Sequence, residues 1–275
     1  MRHVYIVVGL VLLIVAAAPG TTLHISPSGD DGAAGSAEAP MATLAAAVDR
    51  LAGTGEPGAV ILHEGVYPGL QRIGAADTSP PSKLLIEPAR DEQGKYVDAI
   101  FDGSIAITSA KAVEGNPGVF AVNPGPFTAA RVDPQMWESD TRIRYQYAAD
   151  LRGVAGRPAS FFFEDTTGML YFRTSDGQGP EAHDIAIERT TVHDRGNFRV
   201  HWPNVTLRGL SFRHGVPVSV EADDVTAADC RTYNGLRAFI VSPGKKRARI
   251  SRCFGKDLAN GVMTHGEDTI VEDCT

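Results

Sequence analysis

The chain is poor in cysteine, lacks an excess of positive charge and has one long hydrophobic run. Three cysteines in 275 residues are too few for a disulfide-stapled mini-fold or a cysteine-rich zinc module. The net charge of −7 argues against nucleic acid as a partner, because phosphate binding needs a basic surface. With 43% hydrophobic and 21% charged residues, intrinsic disorder is excluded. The 29 glycines and 17 prolines instead indicate frequent turns.

The hydrophobic run lies at the N-terminus and predicts an export signal. Residues 4–18 are apolar and follow Arg2 and His3, a length that suits a signal peptide and is too short for a membrane-spanning helix. With Ala18 at the −3 position, cleavage after Gly20 is favoured, so residues 1–20 are predicted to be a signal peptide. An uncleaved anchor is the alternative. We expect a secreted, periplasmic or cell-surface protein with no membrane span after cleavage.

The segment 22–104 combines short strands with one helix. Leu44, Val48 and Leu51 have helical spacing, with Thr43 as the predicted N-cap and Gly53 as the stop. Short apolar runs predict strands on either side of this helix. From 105 to 181 the alternation is looser and is broken by Pro, Gly and Asp turns, which favours a small antiparallel β-rich insertion.

The segment 182–275 contains a repeat of 20 to 23 residues. Its first apolar column is Ile185, Val205, Val225, Ala248 and Thr269. Two residues later comes a second column, made of Ile187, Leu207, Ala227, Ile250 and Val271. Three residues further on lies a third column, made of Thr190, Leu210, Cys230, Cys253 and Cys274. A glycine follows in each full unit, at Gly196, Gly215, Gly235 and Gly261.

A single repeat unit is too short to fold alone. Ordering about 20 residues costs ~20–40 kcal/mol of backbone entropy, whereas burying about six apolar side chains returns ~9–18 kcal/mol. Stacking each strand on its copy in the next unit supplies the remainder, and the units leave no room for a crossover helix. The repeat therefore predicts an all-β fold, a right-handed parallel β-helix whose first coils and capping helix lie in 22–104. A leucine-rich repeat and a β-propeller do not fit this consensus and length.

The entry segment also resembles a known group of proteins. The stretches 24–32, 39–40, 43–48 and 65–67 are similar to the opening of secreted right-handed parallel β-helix proteins of the pectate-lyase-like superfamily. The segment 168–173 resembles the β-rich insertion of some β-helix glycoside hydrolases. The resemblance implies a polysaccharide as partner, but the superfamily also includes lyases, epimerases, tailspikes and adhesins, and their catalytic signatures are not recognisable here.

Outward side chains on stacked strands predict a candidate site. After successive glycine turns these are Arg199 and His201, then Pro217, Ser219 and Glu221, then Arg237, Phe239 and Val241, then Met263, His265 and Glu267. We expect proton transfer on His265 and Glu267, with Arg237 steadying a carboxylate or oxyanion. The predicted substrate-binding residues are Arg199, His201, Ser219, Glu221 and Phe239. A solvated strand face without catalysis is the alternative.

Other motifs have plainer interpretations. The cysteine column suits either a disulfide between coils or a ladder of buried free thiols, which we favour. Lys245, Lys246 and Arg247 form a basic run that suits an acidic polysaccharide or a charged turn. We expect no cofactor and no metal, although Asp30 and Asp31 are either Ca²⁺ ligands or turn formers.

Two classes of function remain open from the sequence. The first is a polysaccharide lyase or glycoside hydrolase outside the cell, and the second is a non-enzymatic glycan-binding or adhesin-like protein. The repeat breaks off after one strand, near Thr275, so we expect a truncated product with coils missing. The sequence leaves the substrate and the oligomeric state undetermined.

Overall fold

Almost every element of the chain is a β-strand in the computed structural model, which describes residues 20–75, 77–125, 135–188 and 198–275. The predicted signal peptide, apart from Gly20, lies outside the described residues, as do Thr190 and Gly196 of the predicted repeat. Within the described ranges, no helix has both the length and the apolar character needed to cross a membrane.

Helix α1 (Leu44–Leu51) confirms the prediction from spacing. Thr43 is its N-cap, and the Thr43 hydroxyl accepts a hydrogen bond from the Ala46 N–H at 3.1 Å, which satisfies one free donor of the first turn. Leu44, Val48 and Leu51 are buried against the first strands. A short second helix, α2 (Leu151–Ala155), and a 3₁₀ turn (Pro180–Ala182) lie later in the chain.

The strands fall into three groups along the chain. The first group comprises β1 (Thr21–Ile25), β2 (Gly58–Leu62), β3 (Gly65–Pro68), β4 (Gln71–Ile73), β5 (Leu84–Pro88) and β6 (Ala99–Asp102). The middle group comprises β7 (Ser104–Ala106), β8 (Lys111–Ala112), β9 (Phe120–Val122), β10 (Met136–Glu138), β11 (Ile143–Arg144), β12 (Gln146–Tyr147), β13 (Ser160–Glu164), β14 (Met169–Arg173) and β15 (Ile185–Glu188). The last group comprises β16 (Phe198–Val200), β17 (Val205–Arg208), β18 (Ser211–Arg213), β19 (Val218–Val220), β20 (Thr226–Ala228), β21 (Arg231–Val241), β22 (Arg249–Ser251), β23 (Phe254–Thr264) and β24 (Ile270–Glu272).

The first and last groups wind into stacked coils. One parallel sheet has the order β1-β2-β5-β17-β20-β22-β24. A second has the order β3-β6-β18-β21-β19-β16-β4, in which residues 231–233 pair with β18 and residues 239–241 pair with β19. Strand β23 runs parallel to β21 along both halves. This is the predicted all-β, parallel β-helix-like fold.

Like side chains pile up inside the coils, as the repeat predicts. Leu207, Ala227 and Ile250 occupy equivalent positions on neighbouring strands. Cys230 and Cys253 are buried free thiols, in agreement with the favoured interpretation. Phe101, Phe198 and Phe212 form an aromatic cluster with ring centroids 4.9 to 5.7 Å apart. The three rings fill the core at the point where the chain leaves the coils and returns to them.

The head of the predicted repeat is wrong. Ile185 and Ile187 do not stack under Val205 and Leu207, because β15 pairs antiparallel with β10 and β7. Leu207 instead lies beside Ile86 of the first group. Alternation with a period of two is the same in parallel and antiparallel strands, so the pattern alone could not separate them.

The middle group forms two small sheets outside the coils. Their orders are β11-β10-β15-β7 and β12-β13-β14-β9-β8, and the pairs are antiparallel except for β12 with β13. They have their own apolar core, which includes Phe161, Phe172, Ile185 and Ile187. The chain leaves the coils after β6 and returns at β16, so β6 and β18 are neighbours in space. The predicted domain limits at 104/105 and 181/182 stay predictions.

Candidate functional site

A cleft of about 720 Å³ on the coils brings together residues that lie 20 or more positions apart in sequence. We call it the coil cleft, and its lining residues are Arg199, Ser219, Glu221, Arg237, Ile240, Ser242, Pro243, Met263 and His265. Several of these belong to the site predicted from the sequence, although the structure does not test their roles. The cleft therefore places those predicted side chains around one space.

Strand register explains why these side chains meet. Arg199 pairs with Ser219, Ser219 with Ile240, and Ile240 with Met263, on four successive parallel strands. Neighbouring strands are about 4.8 Å apart, and successive side chains point to opposite faces. The outer face therefore carries this row, while Val200 inside it is buried in the core.

Glu221 is the carboxylate of the coil cleft and already has basic partners. One of its oxygens lies 3.3 Å from Nδ1 of His201, and the other lies 3.8 Å from Nε of Arg199. His201 therefore sits beside the cleft, held through Glu221. The three side chains are 19 to 26% exposed, so water screens the group only in part.

Phe239 does not lie on the outer face of the coils, contrary to the prediction. Its side chain is 1% exposed and packs in the core, together with Val241. Ile240 takes the outward position instead, opposite Ser219. The strand after Gly235 carries one residue more before the outward position than the strand after Gly215, and a shift of one residue exchanges the two faces of a strand.

Glu267 also lies outside the lining of the coil cleft. Its carboxylate is 3.0 Å from Nζ of Lys246, and its side chain is 62% exposed. Glu221 and Glu267, the two carboxylates of the predicted site, are therefore not brought together in this cleft. Arg247 in the same basic run binds Asp224 at 2.6 Å, so the run forms a charged turn between coils.

A second space lies where the inserted sheets meet the coils. Two adjoining cavities of about 690 and 750 Å³ share Ser139, Arg213 and His214, and we call them together the junction groove. The further lining residues used below are Glu138, Arg142 and Asp184 from the insertion and Asp102, Arg231, Tyr233, Asn234, Lys256 and Asp257 from the coils.

Asp102 is the best-fixed ionisable group of the junction groove. Its carboxylate accepts hydrogen bonds from Nε of Arg213 at 2.5 Å, from Nδ1 of His214 at 3.1 Å, and from the backbone N–H and hydroxyl of Ser104 at 2.8 and 2.7 Å. Burial acts to raise the pKa of Asp102, but His214 and the Ser104 hydrogen bonds outweigh it and hold that pKa well below its ordinary value. Asp102 is thus a fixed anion at neutral pH.

The floor of the junction groove is a row of outward side chains on successive coils. Asp102, Arg213, Tyr233 and Lys256 occupy matching strand positions, so they follow one another at about 4.8 Å. Arg231 lies two residues before Tyr233 on the same strand, and neither Arg231 nor Lys256 makes an ion pair with a residue that the structure describes. The floor therefore offers free cations and an aromatic ring to a ligand.

The turns beside this floor repeat as well. His214, Asn234 and Asp257 all have positive φ, between 53° and 57°, although none is glycine. His and especially Asn and Asp accept this left-handed conformation more readily than other residues. His214 is also fixed by Asp102 and lies against Trp137, with ring centroids 6.4 Å apart. The turn thus points polar side chains into the groove.

A polar network in the insertion supports one wall of the groove. Glu138 is fully buried and accepts hydrogen bonds at 2.6 Å from Thr141, Tyr145 and Ser175. His183 lies 3.1 Å from the carboxylates of both Asp140 and Asp176.

The same network contains a group with the spacing of a metal site. One ligand atom each from Glu138, Asp140 and His183 lies within 4.8 Å of the others. The same three side chains take part in the hydrogen bonds and ion pairs of the network, which tie β10 to the segment before β15.

Asp30 and Asp31 act as turn formers. Asp30 accepts a hydrogen bond from the Gly32 N–H at 2.9 Å. Asp31 accepts hydrogen bonds from the backbone N–H groups of Ala42 and Thr43 and from the Thr43 hydroxyl. These bonds fix the approach to helix α1 and agree with the turn interpretation.

The junction groove is not apparent from the sequence. Asp102 and His214 are 112 positions apart, and no repeat links them. A local signal was present: Asp102 stands at the end of a predicted strand, immediately before Gly103. Arg213 and His214 reach Asp102 only because the coils before and after the insertion stack on each other.

Comparison with solved structures supports the fold. XylC in complex with xylose matches with a TM-score of 0.60 and 13% identity over 90% of this chain and 53% of that chain. A glycoside hydrolase matches with a TM-score of 0.54 and 11% identity over 87% of this chain and 74% of that chain. This chain therefore spans about half the length of XylC. No family model and no curated protein matches the sequence.

Proposed function

We propose that this protein is a carbohydrate-active β-helix protein that holds a polysaccharide in the junction groove and degrades it as a glycoside hydrolase or polysaccharide lyase. The observation that carries the proposal is the pair of adjoining cavities around Arg213 and His214, with an ordered floor of charged and aromatic side chains. Its total extent suits several sugar units better than one small ligand. We also propose that residues 1–20 direct the protein out of the cytoplasm.

Each group of the floor has a defined task in this proposal. Tyr233 offers a ring face for a sugar, and its neighbour Phe254 extends that face, with ring centroids 5.9 Å apart. Arg231 and Lys256 bind hydroxyl or carboxylate groups of the glycan. Asp102, held as an anion with a lowered pKa, stabilises positive charge, and Arg213 and His214 keep it in place.

The names of the matched structures favour glycan hydrolysis. XylC was solved with xylose, and the second match is called a glycoside hydrolase. Hydrolysis needs two carboxyl groups ~5–9.5 Å apart. Asp102 and Asp257 do not meet this condition, because three strand steps separate their coils, or ~14 Å. Glu138 and Asp184 also line the groove, and Asp184 shares a cavity with Asp102. A groove in which no two of these carboxyl groups meet the required distance would be a non-enzymatic glycan binder, which is the second candidate.

A panel of purified polysaccharides tests the proposal. Products that absorb in the near ultraviolet indicate a lyase, new reducing ends without that absorbance indicate a hydrolase, and retention without turnover indicates a binder. The double variant Arg231→Gln/Lys256→Gln is expected to lose most of its glycan affinity, by about 10-fold or more.

The matched control is Lys111→Gln/Arg152→Gln, which removes the same charge from exposed positions outside the groove. Its affinity is expected to equal that of the wild type. No binding to any glycan, or equal losses in the two double variants, would contradict the proposal.

A further inference from the structure

The coil cleft carries a surplus of positive charge on an acidic protein. Arg199 and Arg237 line it, and Glu221 is the one carboxylate among its described lining residues, so the two arginines leave one positive charge over. Arg72 lies next to Arg199 on the adjoining strand and adds another cation at the rim. With a net charge of −7 over the whole chain, such a concentration of cations is a local feature.

Glu221 pairs with Arg199 and leaves the charge of Arg237 without a counter-ion among the described residues. Its two oxygens already face His201 and Arg199. Arg237 makes no ion pair with any residue that the structure describes. Its Nε is buried and has no hydrogen-bond partner there. Arg237 thus lines the cleft with a guanidinium whose hydrogen-bonding capacity the described acceptors do not saturate.

The surroundings of His201 report the same positive potential. Burial lowers the pKa of His201, Glu221 acts to raise it, and the charges of Arg72, Arg199 and Lys245 lower it further. Cations from three different segments therefore act on one point beside the cleft. An anion entering the cleft would face all of them.

The remaining lining suits a sugar ring. Ile240, Pro243 and Met263 supply apolar surface, and Ser219 and Ser242 supply hydroxyl groups. Ligand sites combine such apolar walls with a few fixed polar groups, and a volume of about 720 Å³ lies within their usual range. The cleft is thus built for a small polar molecule that bears an anionic group.

We infer that the coil cleft is a second carbohydrate site, separate from the junction groove, which binds an acidic sugar through its carboxylate or sulfate group at Arg237. Arg237 donates to the anionic group, His265 and Ser242 contact its neighbouring hydroxyls, and Ile240 and Met263 pack against the ring. The site does not depend on catalysis in the junction groove. It stands or falls by its own binding measurement.

Calorimetric titration at low ionic strength tests this site with three probes: trigalacturonate as the carboxylate, a sulfated galactan oligosaccharide as the sulfate, and xylotriose as the neutral sugar. We expect at least one acidic probe to bind clearly more tightly than xylotriose. Arg237→Gln should weaken that binding about 10- to 100-fold, because a charge-assisted hydrogen bond is lost. Binding should also weaken as salt is raised.

Controls separate this site from general charge and from the groove. Arg152→Gln removes the same charge at an exposed position outside both spaces and should bind as the wild type does. Arg231→Gln/Lys256→Gln should leave the acidic probe bound at the coil cleft. If Arg237→Gln does not fold, Ser242→Asp places a repelling carboxylate in the same cleft and should abolish binding.

Three results would overturn the inference. The first is xylotriose binding as tightly as both acidic probes. The second is unchanged affinity in folded Arg237→Gln or in Ser242→Asp. The third is an equal loss in Arg152→Gln, which would reduce the effect to net charge. Because Arg231 and Lys256 of the junction groove are also proposed to bind carboxylates, these comparisons are made in the Arg231→Gln/Lys256→Gln background, so that the two proposals fail independently.

Discussion

The coil cleft and the junction groove are built in opposite ways. The coil cleft comes from one sheet, whose successive strands repeat a similar pattern, so its residues can be found by counting along the chain. The junction groove joins β6, β18 and the inserted sheets, and its central contact spans 112 positions. The floor residues Arg213, Tyr233 and Lys256 follow the spacing of the coils, whereas Asp102 and the inserted wall do not, so the period alone does not reveal the groove.

Ion pairs in the junction groove are more buried than ion pairs in the turns between coils. At the junction groove, Asp102 and His214 have side chains only 11% and 3% exposed. On the coil surface, Arg247 and Asp224 are 53% and 38% exposed. Both carboxylates bind an arginine at close range, yet water screens only the second pair well. Their loss should therefore have different consequences.

The largest expected effect is the loss of the Asp102 carboxylate. Asp102→Ala leaves His214 and Arg213 without their acceptor, and we expect the free energy of unfolding to fall by about 2–4 kcal/mol. Urea unfolding followed by circular dichroism measures it. Asp224→Ala is the matched control and should change stability little, because an exposed pair contributes little. Equal effects would show that burial does not distinguish the two regions.

A smaller effect should appear in the pH dependence of the insertion. Burial acts to lower the pKa of His183, but the hydrogen bonds that it donates to the carboxylates of Asp140 and Asp176 outweigh burial and raise that pKa above its ordinary value. The stabilisation of the folded state by protonated His183 is therefore complete below about pH 6.5, and it is lost as pH rises through the raised pKa.

Thermal unfolding from about pH 6 to about pH 9 measures this effect. The difference in melting temperature between the wild type and His183→Gln should shrink as pH rises. Binding of an acidic sugar at the coil cleft should be the same in the two proteins. A difference between the two proteins that stays constant with pH would contradict the assignment.

The fold could be predicted from the sequence because stacking repeats one pattern. Leu207, Ala227 and Ile250 recur at the spacing of the coils, and the helix at Leu44–Leu51 has both its apolar stripe and its cap. The same reasoning was wrong at Ile185, where a strand of the same alternation belongs to an antiparallel sheet. Pairing direction depends on the partner strand, which a single segment does not specify.

The site could be predicted only in part. Arg199, Glu221 and His265 were placed in one row by counting, but Phe239 was assigned to the wrong face because one strand carries an extra residue. Counting fails at each such change of register. Asp102 cannot be recognised from the sequence, because Arg213 and His214 hold its carboxylate in place. Both residues follow Asp102 in the chain only after the inserted sheets.

A modest effect should reveal the role of Glu221 in the coil cleft. If Glu221 is a counter-ion for His201 and Arg199, Glu221→Gln removes a like charge and should tighten the binding of trigalacturonate about 3- to 10-fold. If it instead contacts the sugar, as the sequence suggested, binding should weaken. Glu272→Gln, an exposed carboxylate paired with Arg249, is the control and should leave affinity unchanged.

The smallest effect is expected where the sequence and the structure disagree most directly. His265 lines the coil cleft, whereas Glu267 binds Lys246 and is largely exposed. His265→Ala should therefore weaken binding of an acidic sugar about 3- to 10-fold, while Glu267→Ala should change it by less than about twofold. Titration of both variants with trigalacturonate measures the contrast. A larger loss of affinity in Glu267→Ala than in His265→Ala would show that Glu267 contacts the sugar. The lining of the coil cleft would then not identify the binding residues.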